Sequence, residues 1–424
     1  MKKEFDYDCI VIGGGPAGLM AAIQAAAAGG RVAVLDKNNL LCKKLRITGK
    51  GRCNLTNDCD FDTLMANIPR NPKFLFSAFK NFSNTDVIDF FHTLGLQTVT
   101  ERGGRVFPAT QKAGDVAGAL ISCAKANGIA IFLNTRAVSI HTEDNDVCGV
   151  CCCGPDNEQK RFSAPAVIVA TGGLSYPLTG STGDGYRFAE DAGHTIAPPH
   201  ASLAALLSRE SFIPELEGLS LKNISVSLLE NGVSVYRDFG ELLFTGSGVS
   251  GPVILSASAY YKPKANMTLI IDLKPALEEQ KLYDRLQRDF AAFDRKIFSN
   301  ALDRLLPKKL IPVIIERTKI PPGKQVNQLS REERRSIVHL LKHFTVRIDG
   351  IDDVKNAIVT AGGVSVREID PKTMASKICR GLYFAGEVLD VDGYTGGFNL
   401  TIAFSTGFSA GRAVGKRNDF SEKM

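Results

Sequence analysis

The stretch Asp8-Cys9-Ile10-Val11-Ile12-Gly13-Gly14-Gly15-Pro16-Ala17-Gly18 decides the fold: an apolar run enters a glycine turn, and an alanine-rich segment follows. Gly13, Gly15 and Gly18 fit the pattern G-x-G-x-x-G. In a strand–turn–helix unit the first glycine permits the tight turn and the second lets backbone approach a pyrophosphate. The third lets the helix pack on the strand. Pro16 and Ala17 open a helix whose N–H groups and positive dipole end would face those phosphates. A second strand is predicted at Arg31-Val32-Ala33-Val34-Leu35, and it ends at Asp36, 18 residues after Gly18. An acid there accepts hydrogen bonds from a ribose and disfavours a 2′-phosphate, so a dinucleotide of FAD or NAD type is expected. Lys37 joins the expected contacts.

A second segment, Gly381-Leu382-Tyr383-Phe384-Ala385-Gly386-Glu387, reads as a strand delivering Glu387 and Asp390 towards a ribityl chain and phosphates. Gly396-Gly397-Phe398-Asn399-Leu400 then opens a final helix rich in small residues. Its N-terminus would stabilise an anionic reduced flavin, and Gly386, Gly397, Phe398, Asn399 and Leu400 are expected contacts. The two segments together imply FAD, its adenosine end held by the first and its flavin end by the last.

Between them, Cys42 to Asn57 holds five basic residues, two glycines and few apolar ones, and it reads as a loop reaching the flavin edge. Lys44, Thr48, Gly49, Gly51, Arg52, Cys53 and Asn54 are its expected cofactor contacts. Cations there neutralise phosphates and a reduced flavin. Arg46 and Lys50, with Tyr394, are the catalytic candidates, and Tyr176 is a further one for proton transfer. The buried-type strand Ala166–Ala170 exits through Thr171 and Gly172, where small residues would avoid a dinucleotide passing above; Ala170, Thr171 and Gly172 are therefore expected contacts. Val138, in a predicted strand at 137–141, completes the set, and no metal ligands are expected.

With 424 residues the chain is expected to form two or three domains. Residues 202–275 alternate apolar and polar as antiparallel strands do, and 276–345 become helical and charged. The expected organisation is α/β: an FAD-binding domain over 1–197 and 346–424, interrupted by a β-rich insert at 198–275 and a helical segment at 276–345. Arg331-Glu332-Glu333-Arg334-Arg335 reads as a solvated helix face. The net charge of +6 is mild for this size, so no nucleic-acid partner is expected. From Cys9 to Gly30 no residue is charged, but Gly13-Gly14-Gly15-Pro16 breaks that run and three acids precede it. Neither a membrane span nor a signal peptide is expected, and the cytoplasm is the expected compartment. No C-x-x-C occurs among the ten cysteines, and the spacing of Cys42 and Cys53 argues against a disulfide working with the flavin.

The chain resembles the bacterial BaiN-like flavoproteins, a group of NAD(P)/FAD-dependent and aminoacetone-oxidase-like proteins. The resemblance rests on Gly13 to Gly18, on the block Lys44 to Asn57, on Thr360-Ala361-Gly362-Gly363-Val364 and on the block Ala385 to Leu400. It implies a Rossmann-type FAD domain of the two-dinucleotide-binding flavoprotein class, with an insert made of a β-barrel-like part and a helical part. It also implies an FAD-dependent oxidoreductase for a small organic substrate, reducing an activated carbon–carbon double bond with NAD(P)H as candidate donor. A flavin amine oxidase using oxygen, and a non-catalytic redox sensor or RNA-associated flavoprotein, are the alternatives. Relatives usually carry histidine and a bulky residue where this chain has Gly246-Ser247, which puts a shared substrate in question.

Overall fold

A computed structural model describes residues 5–421 apart from 155, 157, 294 and 295. It divides into two compact units, one comprising residues up to Ser202 and from Val354, the other Leu203–Asp353.

The first unit is built on five parallel strands: β1 (Cys9–Ile12), β2 (Val32–Leu35), β3 (Ala130–Phe132), β4 (Val167–Val169) and β5 (Leu382–Phe384). Their order across the sheet is β5-β4-β1-β2-β3. In register, Ile10 lies beside both Ala33 and Val167, and Ile168 lies beside Tyr383. Four of the strands are wholly buried, which is why they read as continuous apolar runs rather than alternating ones. The sheet thereby sets the chain's last strand two positions from its first.

Two helices lock the same ends together. Helix α1 (Pro16–Ala27) starts with proline at its first position, where a missing N–H costs nothing. The lysine-rich α2 (Lys43–Gly51) follows β2, and the final helix is α3 (Phe398–Ser421). Along α3, glycines recur every four residues against α1. A Cβ on Gly407 would lie 2.3 Å from the Ala17 carbonyl oxygen, and one on Gly411 would lie 2.1 Å from that of Ala21. Such an approach of two backbones leaves no room for side chains, so these glycines fix the distance between the helices. No described helix is long and apolar enough to cross a membrane.

The second unit carries a seven-stranded sheet in the order 344–348, 267–272, 220–230, 233–245, 248–250, 206–207, 350–351. Its two edge strands belong to one segment joined by Asp349, so the sheet curls back on itself. Helix Arg331–Lys342 begins with a capping box between Ser330 and Glu333 and buries Ile337, Val338 and Leu341.

Two expectations need correction. The first unit runs to Ser202 rather than 197, because strand Ile196–Ser202 pairs antiparallel with Val359–Val364. It resumes at Val354 rather than 346, because 344–348 and 350–351 are committed to the other sheet. The block 42–57 is not a plain loop. Residues 43–47 are helical, with Leu45 buried, before the chain turns sharply at Thr48.

Candidate flavin site

The glycine turn after β1 has three different reasons for its three glycines. Gly13 adopts φ +106°, and a Cβ there would sit 2.4 Å from the Ala170 carbonyl oxygen. A Cβ on Gly18 would fall 1.9 Å from the Gly13 carbonyl oxygen. Gly15 differs: nothing lies within 4 Å of its imagined Cβ, although the first bond of α1 runs from Leu19 N–H to its carbonyl at 2.9 Å. Space therefore opens where the first N–H groups of α1 point. Asp36, nearly buried, shapes this turn. Its Oδ2 accepts the Gly14 N–H at 2.9 Å and its Oδ1 the Asn38 N–H at 2.8 Å. Lys37 is in an ion pair with Asp184 at 2.7 Å, which also lies near Arg136. Val138 stands at an irregularity between strands Arg136–Glu143 and Asp146–Cys153, where the pairing skips from Ala137 to Ser139. At the end of β4, Ala170 N–H donates to the Ile12 carbonyl at 2.8 Å, and Gly172 takes φ +72°.

The C-terminal motif comes to the first turn of α1. Gly386, at φ +78°, would place a Cβ 2.8 Å from that of Ala17, and its N–H donates to Thr406 Oγ1 of α3 at 2.9 Å. Glu387 is held by three groups through four hydrogen bonds. It accepts Lys44 Nζ at 2.7 and 3.0 Å, Ser175 Oγ at 3.0 Å and the Thr360 N–H at 2.8 Å. Thr360 Oγ1 in turn accepts the N–H groups of Leu174 and Ser175. Sequence reasoning missed Ser175 and Thr360 as members of this network, although Thr360 opens one of the blocks that carry the resemblance. Next to them the Tyr186 hydroxyl is buried with no hydrogen-bond partner among the described residues. Burial, helped by the Glu387 and Asp390 carboxylates, pushes its pKa above the ordinary 10.

Asp390 accepts Asn71 Nδ2 at 3.0 Å and lies 3.8 Å from Arg70. Arg70 also donates to buried Asp392 at 3.1 Å, and Ser202 Oγ donates to the same carboxylate at 2.7 Å. Burial raises the Asp392 pKa, and the Ser202 and Arg70 contacts oppose it. Asn399 clamps Gly393, accepting its N–H at 2.8 Å and donating to its carbonyl at 2.6 Å. It thereby fixes the backbone that carries Tyr394, whose N–H donates to Asn67 at 3.0 Å. Gly397 takes φ +102°, with Thr56 backbone 2.3 Å from its imagined Cβ, and Phe398, Asn399 and Leu400 form the first turn of α3.

The basic turn is the most contorted part of the site. Gly49, Lys50 and Gly51 follow one another at φ +56°, +58° and +83°, and Cys53 adds φ +60°. Cys53 N–H closes the turn on the Thr48 carbonyl at 3.1 Å. For Lys50 and Cys53, which carry a Cβ, this backbone costs about 1 kcal/mol or more each and calls for a compensating role. Arg52 lies over the Phe107 ring at 4.1 Å, bonds Gln111 at 2.6 Å and pairs with Glu101. Arg46 donates to the Leu41 carbonyl at 3.4 Å, within its own segment. Tyr176 takes φ +53° and is partly exposed. Asn54 Oδ1 is buried with no hydrogen-bond partner among the described residues. Cys42 and Cys53 are free, and burial pushes both thiols up to about 12.

All the expected site residues thus lie in the first unit. The open space at Gly15, the orphaned Asn54 oxygen and the orphaned Tyr186 hydroxyl fit a flavin dinucleotide. Fold and site define a Rossmann-type FAD flavoprotein, an oxidoreductase by class. Residues 7–413 match the HI0933-like protein Rossmann domain, and the chain belongs to that family. It is similar to a ribosomal RNA dihydrouridine synthase of Haemophilus influenzae, with 32% identity over 96% of this chain and 98% of the relative. A 3-dehydro-bile acid delta(4,6)-reductase of Clostridium scindens is 30% identical over 96% of this chain and 98% of the relative. Among solved structures, a 3-ketosteroid delta1-dehydrogenase from Sterolibacterium denitrificans shares the fold, with TM-score 0.54, 13% identity and coverage of 97% of this chain and 99% of that one.

Proposed function

We propose that the protein uses FAD to reduce a carbon–carbon double bond conjugated to a carbonyl, with NAD(P)H as donor. The observation that carries this reading is the pair of helices α1 and α3, locked backbone to backbone where Ala17 meets Gly407, with the α3 N-terminus at Phe398 reaching past the start of α1 and the strained basic turn of α2 in the same unit. The names of both relatives support it, since one describes a dihydrouridine product and the other a reductase of a keto bile acid. When bound, FAD supplies the two electrons, taken from the nicotinamide and passed to the carbon β to the carbonyl.

The chain's own residues do the rest. Gly13, Gly15, Gly18 and the first turn of α1 hold the pyrophosphate, and Asp36 holds the adenosine ribose. Glu387 and Asp390 hold the ribityl chain, and the Asn54 carboxamide oxygen, unpartnered among the described residues, accepts from the cofactor. The α3 N-terminus, with Lys50 and Arg52, stabilises the negative charge gained on reduction. Tyr394 is the candidate proton donor to the carbon α to the carbonyl. Arg46, tied to Leu41, serves the turn's shape.

Of the two substrate types, an RNA suits the basic turn better than a bile acid does, because every nucleotide that carries a base also brings a phosphate. The expectation of no nucleic acid rested on a net charge averaged over the whole chain. Anaerobic stopped-flow absorbance with NADH or NADPH tests the reading, followed by uridine-containing RNA or a small enone. Bleaching by a nicotinamide, then recolouring by one of these acceptors but only slowly by air, is the expected result. Absence of bleaching, or peroxide formed with an amine, would replace the reductase with an oxidase.

A further inference from the structure

The flavin site does not use all the cations around it. The β-hairpin formed by Thr98–Glu101 and Arg105–Pro108 turns through Gly103 and Gly104. Asn57 Nδ2 donates to the carbonyls of Gly103 and Gly396, each at 3.0 Å. The hairpin tip is therefore joined to the turn that opens α3. The same hairpin supplies Phe107 beneath Arg52 and Glu101 beside it. Lys112 follows as the residue capping helix Ala113–Ala126.

Across residues 43–57 and 98–112 there are eight basic residues and one acid. Lys44 is committed to Glu387, and Glu101 is shared between Arg52 and Arg105, the latter at 3.6 Å. Among the described residues no carboxylate pairs with Lys50, Arg102 or Lys112, and these three are exposed, as is Arg105. Asp58 and Asp115 are the other acids at the margin. Cations gathered without counter-ions repel one another, and a surface that keeps them gains when a polyanion arrives. The group lies on a hairpin's exposed tip, a turn and a helix cap, which suits an extended strand of phosphates better than one small anion. Arginine planes on such a surface can also stack on unpaired bases.

We infer that Arg102, Arg105 and Lys112 form a phosphodiester track that holds single-stranded RNA, presenting an unstacked base at the turn that opens α3. The inference rests on the nucleobase reading of the substrate, because a ring inside a duplex must leave its stack before chemistry reaches it.

The test uses the FAD-loaded full chain and a fluorescein-labelled oligouridylate, with anisotropy measured across a potassium chloride series. In the variant R102Q/R105Q/K112Q, which spares the cofactor and catalytic sets, three phosphate contacts disappear. The slope of log affinity against log salt should fall by about 2, and affinity near physiological salt by roughly 30-fold. The flavin spectrum, reduction by NAD(P)H and turnover of a small enone should stay at wild-type level. The charge-retaining variant R102K/R105K/K112R should keep the RNA affinity, which separates charge from local misfolding. Equal affinity and slope in wild type and R102Q/R105Q/K112Q would overturn the track, as would wild-type binding indifferent to salt. Salt-dependent RNA binding lost in that variant, but no reoxidation of the reduced flavin by RNA, would uphold the track and sink the nucleobase as substrate.

Discussion

Gly15 and Gly18 are three residues apart in one motif, yet their replacement by alanine should fail in opposite ways. Gly15 has φ −82°, open to any residue, and nothing within 4 Å of the added methyl. Gly15→Ala should therefore change the stability of the cofactor-free protein by less than about 1 kcal/mol, the scale of an altered helix N-cap. The methyl would occupy the space assigned to the pyrophosphate. Displacing a charge-assisted hydrogen bond costs ~1.5–3 kcal/mol, so the Kd for FAD should rise by about 10- to 100-fold. Gly18→Ala puts its methyl 1.9 Å from the Gly13 carbonyl oxygen, so strand and helix must part. Overpacking of that kind costs about 3 kcal/mol, with or without FAD. Thermal and urea unfolding of both variants, with and without FAD, alongside a fluorescence titration of FAD, reads all four quantities. The stabilisation that FAD adds by mass action should shrink in Gly15→Ala alone. Wild-type FAD affinity in Gly15→Ala would refute the reasoning, as would a loss of apoprotein stability equal to that of Gly18→Ala.

Three other outcomes follow from the same geometry. The Lys44–Glu387 pair, about one-fifth exposed at each side chain, should show a coupling of about 1–2 kcal/mol in a double-mutant cycle of Lys44→Met and Glu387→Gln, read by urea unfolding. His194 is buried between Glu368 at 3.2 Å and Ser376 at 2.7 Å, and burial holds its pKa below the ordinary 6.5 despite the Glu368 carboxylate. The unfolded chain then binds a proton that the native state resists, so stability present above pH 6.5 should decline as pH falls below it; His194→Gln should flatten that decline in denaturant titrations at neutral and mildly acidic pH. Cys42 and Cys53, with thiols pushed up to about 12, should escape a disulfide-exchange reagent in the native protein and react after unfolding, as mapped by mass spectrometry. Rapid native labelling of either thiol would show that the turn around Lys50 opens in solution.

The sequence by itself determined the parallel sheet, the phosphate turn and the helix that closes the chain. Each depends on local rules: continuous apolar strands, glycine spacing, and a proline at a helix start. It also indicated an antiparallel insert, because alternation has a period of two wherever one face is buried. What it could not give were groups that meet only when distant segments pack. Small residues along α3 announce a close backbone approach, but only the fold names α1 as the partner. Ser175 and Thr360 look like ordinary small polar residues until Glu387 arrives between them and Lys44. The domain limits depended on which sheet each strand joined, a choice made by pairing partners far away in the chain. Lys44 and Lys37 read alike as cations for a cofactor, and Arg46 as a catalytic one. Tertiary structure gave them Glu387, Asp184 and a backbone carbonyl as partners, because a charge is spent on whichever opposite group the fold brings within reach.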